Sequence, residues 1–591
     1  MADTGDRLGR DGYFRRLTLR IVPPPSAEAR AASEVLAVQT GNAVKDYRME
    51  EAENSPQIIW LQSEPNAEER QEGNTEDSAP RPLIFLPVSD NPARDTLFFT
   101  ALRAALWPDK FTSLPTIDLS AVAEPAKPFF ALRILADYRP IFFPARAERL
   151  SPSWARQQAL RLQRLPEQVS FILSTSGSTK PGGRLVGLSL AALRASHQAT
   201  AQRLGGNGIW VSALPRDHIA GFQVIARAYA GGTEPVTIDM TGGFKLSRLR
   251  EALQNIPSAG VQIYLSLVPT QLTRALADPE TLTALRLCST ILVGGARISP
   301  SLLAAGREQG LNLVTTYGMT ETCGGCVYDG VPLPGVKVAV NEGRIWLATP
   351  TLMSGYLEAA SDSEIQVFEG ETWLATNDAG TIIFAGEDAS AKVENHALLD
   401  PDGNHLQAPR SSLRESTSNQ CRQRTSEKTS AKSSEYLNPN KPPRDEVDII
   451  DSSNPARLEV LGRLDDTIIS GGENISLPLV ARAAEEAGFG GIEFCGLEDE
   501  EWGQILCAVF SESSLADSAL ASHDLDSENL DSARLGSQLR AALRGSLPAS
   551  HLPRAAALLP RFPLLPSGKL DRRALQESTR SLDKENHTWR K

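Results

Sequence analysis

Five short apolar runs, at residues 170–174, 208–214, 262–268, 290–293 and 312–315, alternate with helical patterns such as Pro269–Leu276 and 300–307. Buried strands joined through helices pair in parallel, so this alternation predicts a largely parallel sheet covered by helices. A polar turn follows the 170–174 run, and a helix is expected from Ser189. Its apolar face would be Leu193, His197, Ala201 and Leu204, at i, i+4, i+8 and i+11. After Gly462 the pattern changes: strands near 491–496 and 505–510 and a helix near 535–543 predict a compact α+β unit.

Length and charge narrow the functional classes. A chain of 591 residues, 41% hydrophobic, can build about two to four domains. With 72 acidic against 60 basic side chains the net charge is −12, which argues against a nucleic-acid binder or an anionic-membrane binder. No apolar run approaches the roughly 18 residues of a spanning helix, so no integral membrane contact is expected. The start of the chain lacks a secretory pattern, and six cysteines in this length make no disulfide framework, so a cytoplasmic location is expected. Three polar stretches, 62–80, 386–455 and 511–532, hold too little apolar surface to offset chain entropy and are expected to be disordered or solvated. Residues 1–80 form a poorly defined extension, with 58–61 as a candidate strand docked on the core.

Four segments carry chemistry. The loop 174–184, Ser-Thr-Ser-Gly-Ser-Thr-Lys-Pro-Gly-Gly-Arg, follows a strand and offers hydroxyls and Gly backbone N–H groups to a polyphosphate, with Lys180 and Arg184 to neutralise it. It is not a Walker A loop, because Lys180 stands between Thr179 and Pro181. Tyr317-Gly-Met-Thr-Glu-Thr322 places a ring, hydroxyls and a carboxylate at the carboxyl end of a strand, where open α/β sheets bind ligands. Residues 462–475 lie at the expected domain boundary, and Pro566-Ser-Gly-Lys-Leu-Asp-Arg572 sets one lysine on a Gly-hinged turn.

Taken in order, these segments resemble the adenylate-forming (AMP-binding) superfamily of acyl- and aryl-CoA ligases, over roughly 165–385 and 456–575. The resemblance implies an α/β fold: a large N-terminal adenylate-forming domain of mixed sheets covered by helices (81–462, with a disordered insertion near 386–455), then a small mobile α+β domain (463–591, with a polar insertion near 511–532). It implies ATP, Mg²⁺ and coenzyme A as cofactor and co-substrates of two half-reactions, adenylation of a carboxylic acid and transfer to a thiol. Thr175, Ser176, Gly177, Ser178 and Thr179 resemble the phosphate loop, with Lys180 or Arg184 replacing the family's displaced lysine and altering pyrophosphate handling. Gly294, Gly295, Ala296, Tyr317 and Gly318 resemble the adenine pocket. Thr320 would contact the α-phosphate and Glu321 would hold the metal. Asp378 matches the ribose carboxylate, although Asn377 stands where the family usually has Gly. Arg463 resembles the nucleotide-contacting arginine, Asp465 the hinge, and Lys569 the mobile lysine that bridges carboxylate and phosphate. Gly471 and Gly472 would let the backbone approach the thiol of the acceptor.

The acid is read from 213–227, where His218 and Arg227 lie nine residues apart on an expected helix. Arg227 sits among Ile225, Ala226, Ala228 and Tyr229, where an unpaired guanidinium is unfavourable and a carboxylate partner would relieve it. This stretch is similar to the 2-succinylbenzoate–CoA ligase branch of the superfamily, whose acid carries two carboxylates; His218 would then touch substrate and Arg227 would anchor the ring carboxylate. Two other readings remain open: an adenylation enzyme loading a carrier-protein thiol, with Asp217 as an ammonium ligand, and a non-catalytic nucleotide-binding protein. The cysteines of Cys323-Gly-Gly-Cys326 lack a second pair and are not read as a zinc site. The sequence leaves a homo-oligomer open.

Overall fold

The computed structural model describes residues 18–22, 25–27, 29–33, 58–64, 79–107, 132, 135–175, 183–257, 260–358, 364–368, 370–384, 448–464, 466–471, 473–512, 531–565 and 569–591. Their strands form four sheets. The first is mixed and runs Thr18–Val22, Ile58–Glu64, Arg81–Val88, Ile141–Arg146, Val169–Ser174, Leu185–Ser189 and Gly355–Tyr356 in spatial order. The second contains four of the five expected strands, Ile209–Ser212, Ile263–Leu267, Thr290–Gly294 and Leu313–Met319, paired in parallel, with Val236–Thr237, which was not expected, at their edge; the fifth, Val169–Ser174, lies in the first sheet. Gly324–Tyr328 and Val331–Pro332 then extend it antiparallel. A third, antiparallel sheet is built around the strand Glu371–Ile383, and a fourth, spanning 467–590, carries the C-terminal elements.

The helix Ile219–Ala230 lies between the first two sheets and is buried from Gly221 to Tyr229. Phe222, Ile225, Ala226 and Tyr229 join one core cluster, Val224 and Ala228 another. Phe222 meets Phe171 of the first sheet edge-on at 5.2 Å and Phe98 of the helix Thr96–Leu106 at 6.3 Å. Full burial of such a ring contributes about 1.5–3 kcal/mol. The loop before this helix is fixed by Arg216, which holds Asp95 at 2.7 Å and donates to the Ser89 carbonyl; both side chains of the pair are 1% exposed.

Four expectations are corrected. The buried face of the helix Leu190–Leu204 is Ala192, Leu193, Ser196, Ala199 and Thr200; His197, Ala201 and Leu204 are only partly buried. Ser196 Oγ donates to the Cys323 carbonyl and Thr200 Oγ1 bonds the Tyr328 hydroxyl at 3.2 Å, so small polar residues are satisfied where the larger apolar ones were expected. The stretch expected to be disordered from 62 begins inside the strand Ile58–Glu64, and the one expected to run to 455 ends in the strand Ile449–Ile450, whose Ile450 is 1% exposed. Likewise Ser511 is a buried strand residue, and Ser532 opens a helix. The middle parts of these stretches, 65–78, 385–447 and 513–530, lie outside the described residues.

Candidate active site

The strand Leu313–Met319 shifts register at Tyr317/Gly318 against Gly324–Tyr328. A Cβ at Gly318 would lie 2.1 Å from the Gly324 carbonyl oxygen, so only glycine permits this approach. Thr322 Oγ1 accepts from the Met319 N–H and donates to the Gly324 carbonyl, closing the short turn Thr320–Thr322. The turn delivers Tyr317 and Glu321 to the same region as Asp378 of the strand Glu371–Ile383. Tyr317 Oη donates to Asp378 Oδ2 at 2.8 Å, and burial, with Asp378 beside it, pushes the phenol well above its ordinary value. Tyr356 Oη donates to Glu321 Oε1 at 2.8 Å; burial raises the Glu321 carboxyl above the usual carboxylate range, and Asp378 adds to the shift.

The C-terminal unit completes the cluster. Lys569 sits on a turn closed by Leu565 N–H on the Lys569 carbonyl (2.7 Å) and Asp571 N–H on the Pro563 carbonyl (2.9 Å). Asp571 then caps the helix Arg572–Lys584 by accepting from Ala574 N–H. Lys569 Cε lies 3.3 Å from where a Cβ on Gly295 would stand. Burial lowers the ammonium's pKa, and Arg463 lowers it further while Asp378 opposes both. Arg463 pairs with Asp378 in the strand register. His218, at the start of the helix Ile219–Ala230, makes no side-chain cap; burial lowers its pKa, and Lys569 is among the charges acting on it. His218, Gly295, Tyr317, Glu321, Asp378, Arg463 and Lys569, spread over 352 positions of sequence, therefore share one electrostatic neighbourhood.

Other expected residues stand differently. Arg184 pairs with Glu364 at 2.9 Å and lies 3.1 Å over the Tyr356 ring, so its guanidinium is bound within the protein beside the Glu321–Tyr356 pair. Thr175 closes the base of the loop: its N–H donates to the Arg184 carbonyl and its Oγ1 accepts the Arg184 N–H, both at 2.9 Å. Ser176, Gly177, Ser178, Thr179 and Lys180 lie outside the described residues, as do Asp465 and Gly472. Gly294 abuts Thr316 and Ala296 is exposed, while Thr320 is buried. Gly471 is packed on Trp502 within its own sheet, and its N–H donates to the Trp502 carbonyl.

Arg227 is 4% exposed. Its Nη2 donates to Ser196 Oγ at 3.3 Å and its guanidinium stands 5.5 Å over Trp210, but Nε is buried without a partner. Arg227 makes no ion pair with an acidic residue among the described residues. Asp217 faces Arg146 Nε at 3.2 Å, so its carboxylate already has a cation from the protein. Sequence reasoning missed Tyr356, Glu364 and the Arg216–Asp95 pair. An arginine between a proline and an aspartate before an apolar helix was a readable signal for Arg216; Glu364, 180 residues from Arg184, left none.

Among the described residues no group of three or more His, Cys, Asp or Glu is arranged to hold a metal. One half-buried carboxylate, Glu321, fits Mg²⁺, which takes one or two protein carboxylates and completes its shell with water and substrate phosphates. No helix among the described residues is long and apolar enough to cross a membrane.

Residues 114–357 match the family model described as AMP-binding enzyme. A protein of Mycobacterium tuberculosis named "Probable 2-succinylbenzoate--CoA ligase" is 39% identical over 226 residues, covering 38% of this chain and 57% of its own length. The 2-succinylbenzoate--CoA ligase of Escherichia coli is 30% identical over 36% of this chain and 46% of its own. The chain thus spans about half the length of these curated relatives. Among solved structures, ATP-bound MatB from Rhodopseudomonas palustris superposes with a TM-score of 0.52 at 15% identity, over 84% of this chain and 96% of that one. That likeness shows the fold. The sheet arrangement and the matched segment agree: over residues 114–357 the chain is similar to the AMP-binding enzyme family.

Proposed function

We propose that this protein is an ATP-dependent, AMP-forming acid–thiol ligase that converts 2-succinylbenzoate to its CoA thioester, a step of menaquinone biosynthesis. The observation that carries the reading is Lys569: a lysine of the C-terminal unit is held against Gly295, beside Asp378 and Arg463, with His218 in its field. Nucleotide binding alone has no use for a half-buried ammonium brought from a separate sheet, which disfavours the non-catalytic reading.

In the first half-reaction the succinyl carboxylate oxygen attacks the α-phosphorus of ATP and pyrophosphate leaves with the bond electrons. Lys569 holds negative charge on both reacting groups, and a preformed cation in a water-poor site does so without reorganising. Thr320 and the loop after Thr175 bind phosphate oxygens. Tyr317 flanks the base and Asp378 holds the ribose hydroxyls. Bound at Glu321, Mg²⁺ supplies charge neutralisation to the phosphates. In the second half-reaction the thiol sulfur of CoA attacks the acyl carbon and AMP leaves. Arg227 anchors the ring carboxylate, the partner its buried guanidinium lacks among the described residues. The relatives named for this acid support the choice. Arg146 at Asp217 disfavours an amino-acid substrate, which would need that carboxylate. We further place the domain division at 462/463 and the protein in the cytoplasm.

The test is a mass-spectrometric assay with ATP, Mg²⁺, CoA and a panel of acids. 2-Succinylbenzoyl-CoA and AMP are the expected products. Turnover of another acid in the panel and not of this one would refute the substrate, and turnover only with a carrier protein would refute the acceptor.

A further inference from the structure

The helix Leu477–Glu486 opens the C-terminal unit after its first hairpin, and three of its residues at i, i+4 and i+7 face the N-terminal sheets. Pro478 lies where a Cβ on Gly462 would be 2.3 Å away, Arg482 Nη1 holds Glu459 Oε1 at 2.7 Å, and Glu485 Oε2 holds Arg297 Nη2 at 2.9 Å. Glu459 and Gly462 belong to the strand Arg457–Arg463, the segment joining the two parts. Arg297 belongs to the other side altogether: it follows Gly294-Gly295-Ala296, the loop whose Gly295 receives the Lys569 stem.

A second set of charges surrounds the same seam. Arg572, three residues beyond Lys569, holds Asp466 at 3.0 Å and reaches Glu493 at 4.0 Å, and both Arg572 and Arg297 act on Glu493. Glu485 and Glu493 are buried enough that burial raises both carboxyls, so each needs its guanidinium.

We propose that Arg297 is a positioning residue for Lys569: its pair with Glu485 docks the C-terminal helix on the N-terminal domain and thereby holds the lysine beside Gly295. The loop 294–297 thus grips the C-terminal unit at two points, the lysine stem at one end and the helix carboxylate at the other. This inference rests on the adenylation reading above, since only the first half-reaction uses Lys569 in this place.

The experiment separates the half-reactions. Arg297→Ala and Glu485→Ala should each slow acid-dependent ATP–pyrophosphate exchange about five- to tenfold, the size of a coupled charge pair. CoA-thioester formation from synthetic acyl-adenylate should change less than about twofold. The exchanged pair, Arg297→Glu with Glu485→Arg, should recover most of the exchange rate. Equal losses in both half-reactions, or no recovery in the exchanged pair, would overturn the proposal. A second readout needs no substrate: the yield of a short bismaleimide cross-link in a Gly295→Cys/Lys569→Cys protein should fall when Arg297→Ala is added. An unchanged yield overturns the docking role. Absence of exchange in the unaltered protein with 2-succinylbenzoate would instead defeat the substrate reading, and the cross-link would still decide on Arg297.

Discussion

Replacing Arg227 with Met separates what the guanidinium does for the fold from what it does for the acid. Among the described residues Arg227 has one hydrogen bond, to Ser196 Oγ, an aromatic face at 5.5 Å and a buried Nε with no partner. Exchanging such a charge for a well-packed apolar side chain is neutral or stabilising by about 1 kcal/mol. The Arg227→Met protein should therefore melt no lower than the parent, and up to about 2–4 °C higher. For the acid the change runs the other way. Two charge-assisted hydrogen bonds to a ring carboxylate are worth about 3 kcal/mol together, taking the low end of about 1.5 kcal/mol each. At about 1.4 kcal/mol per tenfold, the KM for 2-succinylbenzoate should rise about a hundredfold. The KM for ATP should stay within about twofold, and an analogue lacking the ring carboxylate should bind both proteins alike. Calorimetric melting and initial rates against each substrate are the assays. A melting temperature lowered by more than a few degrees would show a structural guanidinium, and equal KM changes for acid and ATP would refute the anchor.

Other outcomes follow from the same contacts. Arg216→Leu leaves Asp95 as an unpaired charge at 1% exposure and should destabilise the protein by about 3–5 kcal/mol, read by denaturant titration. Lys569→Ala should lower acid-dependent pyrophosphate exchange by about a hundredfold or more while leaving the melting temperature unchanged, because it removes charge stabilisation from the adenylation step alone. Glu321 is held above its ordinary 4.5 by burial, so the native state keeps a proton that the unfolded chain releases, and stability falls as pH climbs from 4.5 through the raised value. Glu321→Gln should consequently raise the melting temperature at pH 8 more than at pH 4; a pH-independent difference would contradict the burial. Gly318→Ala forces a methyl to within 2.1 Å of the Gly324 oxygen, and should displace Tyr317 and weaken ATP binding, measured by fluorescence titration.

The parallel strands at 209–212, 263–267, 290–294 and 313–319 were legible because each is a short apolar run between turns, a pattern that depends on its own neighbours alone, whereas the two-residue strand Val236–Thr237 is too short to show one. The face of the helix Leu190–Leu204 was not, since its buried positions are chosen by partners elsewhere: Cys323 and Tyr328 give Ser196 and Thr200 hydrogen bonds, and that outweighs the side-chain hydropathy. Tyr317, Glu321, Asp378 and Lys569 were readable as motifs and are brought together, whereas the reading of Arg184 as an open phosphate base missed Glu364 and Tyr356. Those partners lie 180 and 172 residues away, and no local pattern pairs them.

If the nucleotide binds as proposed, the 2.8 Å bond from Tyr317 to Asp378 gives it a competitor that is already in place. Each group satisfies the other, so a ribose hydroxyl arriving at Asp378 trades one hydrogen bond for another. Its net gain is then small, and tight association must come from the phosphates. On the proposed reading, a chain built this way should hold AMP loosely once the acyl group has passed to the thiol, and the closing of the tyrosine onto the aspartate would help to expel the spent nucleotide and clear the site for the next cycle.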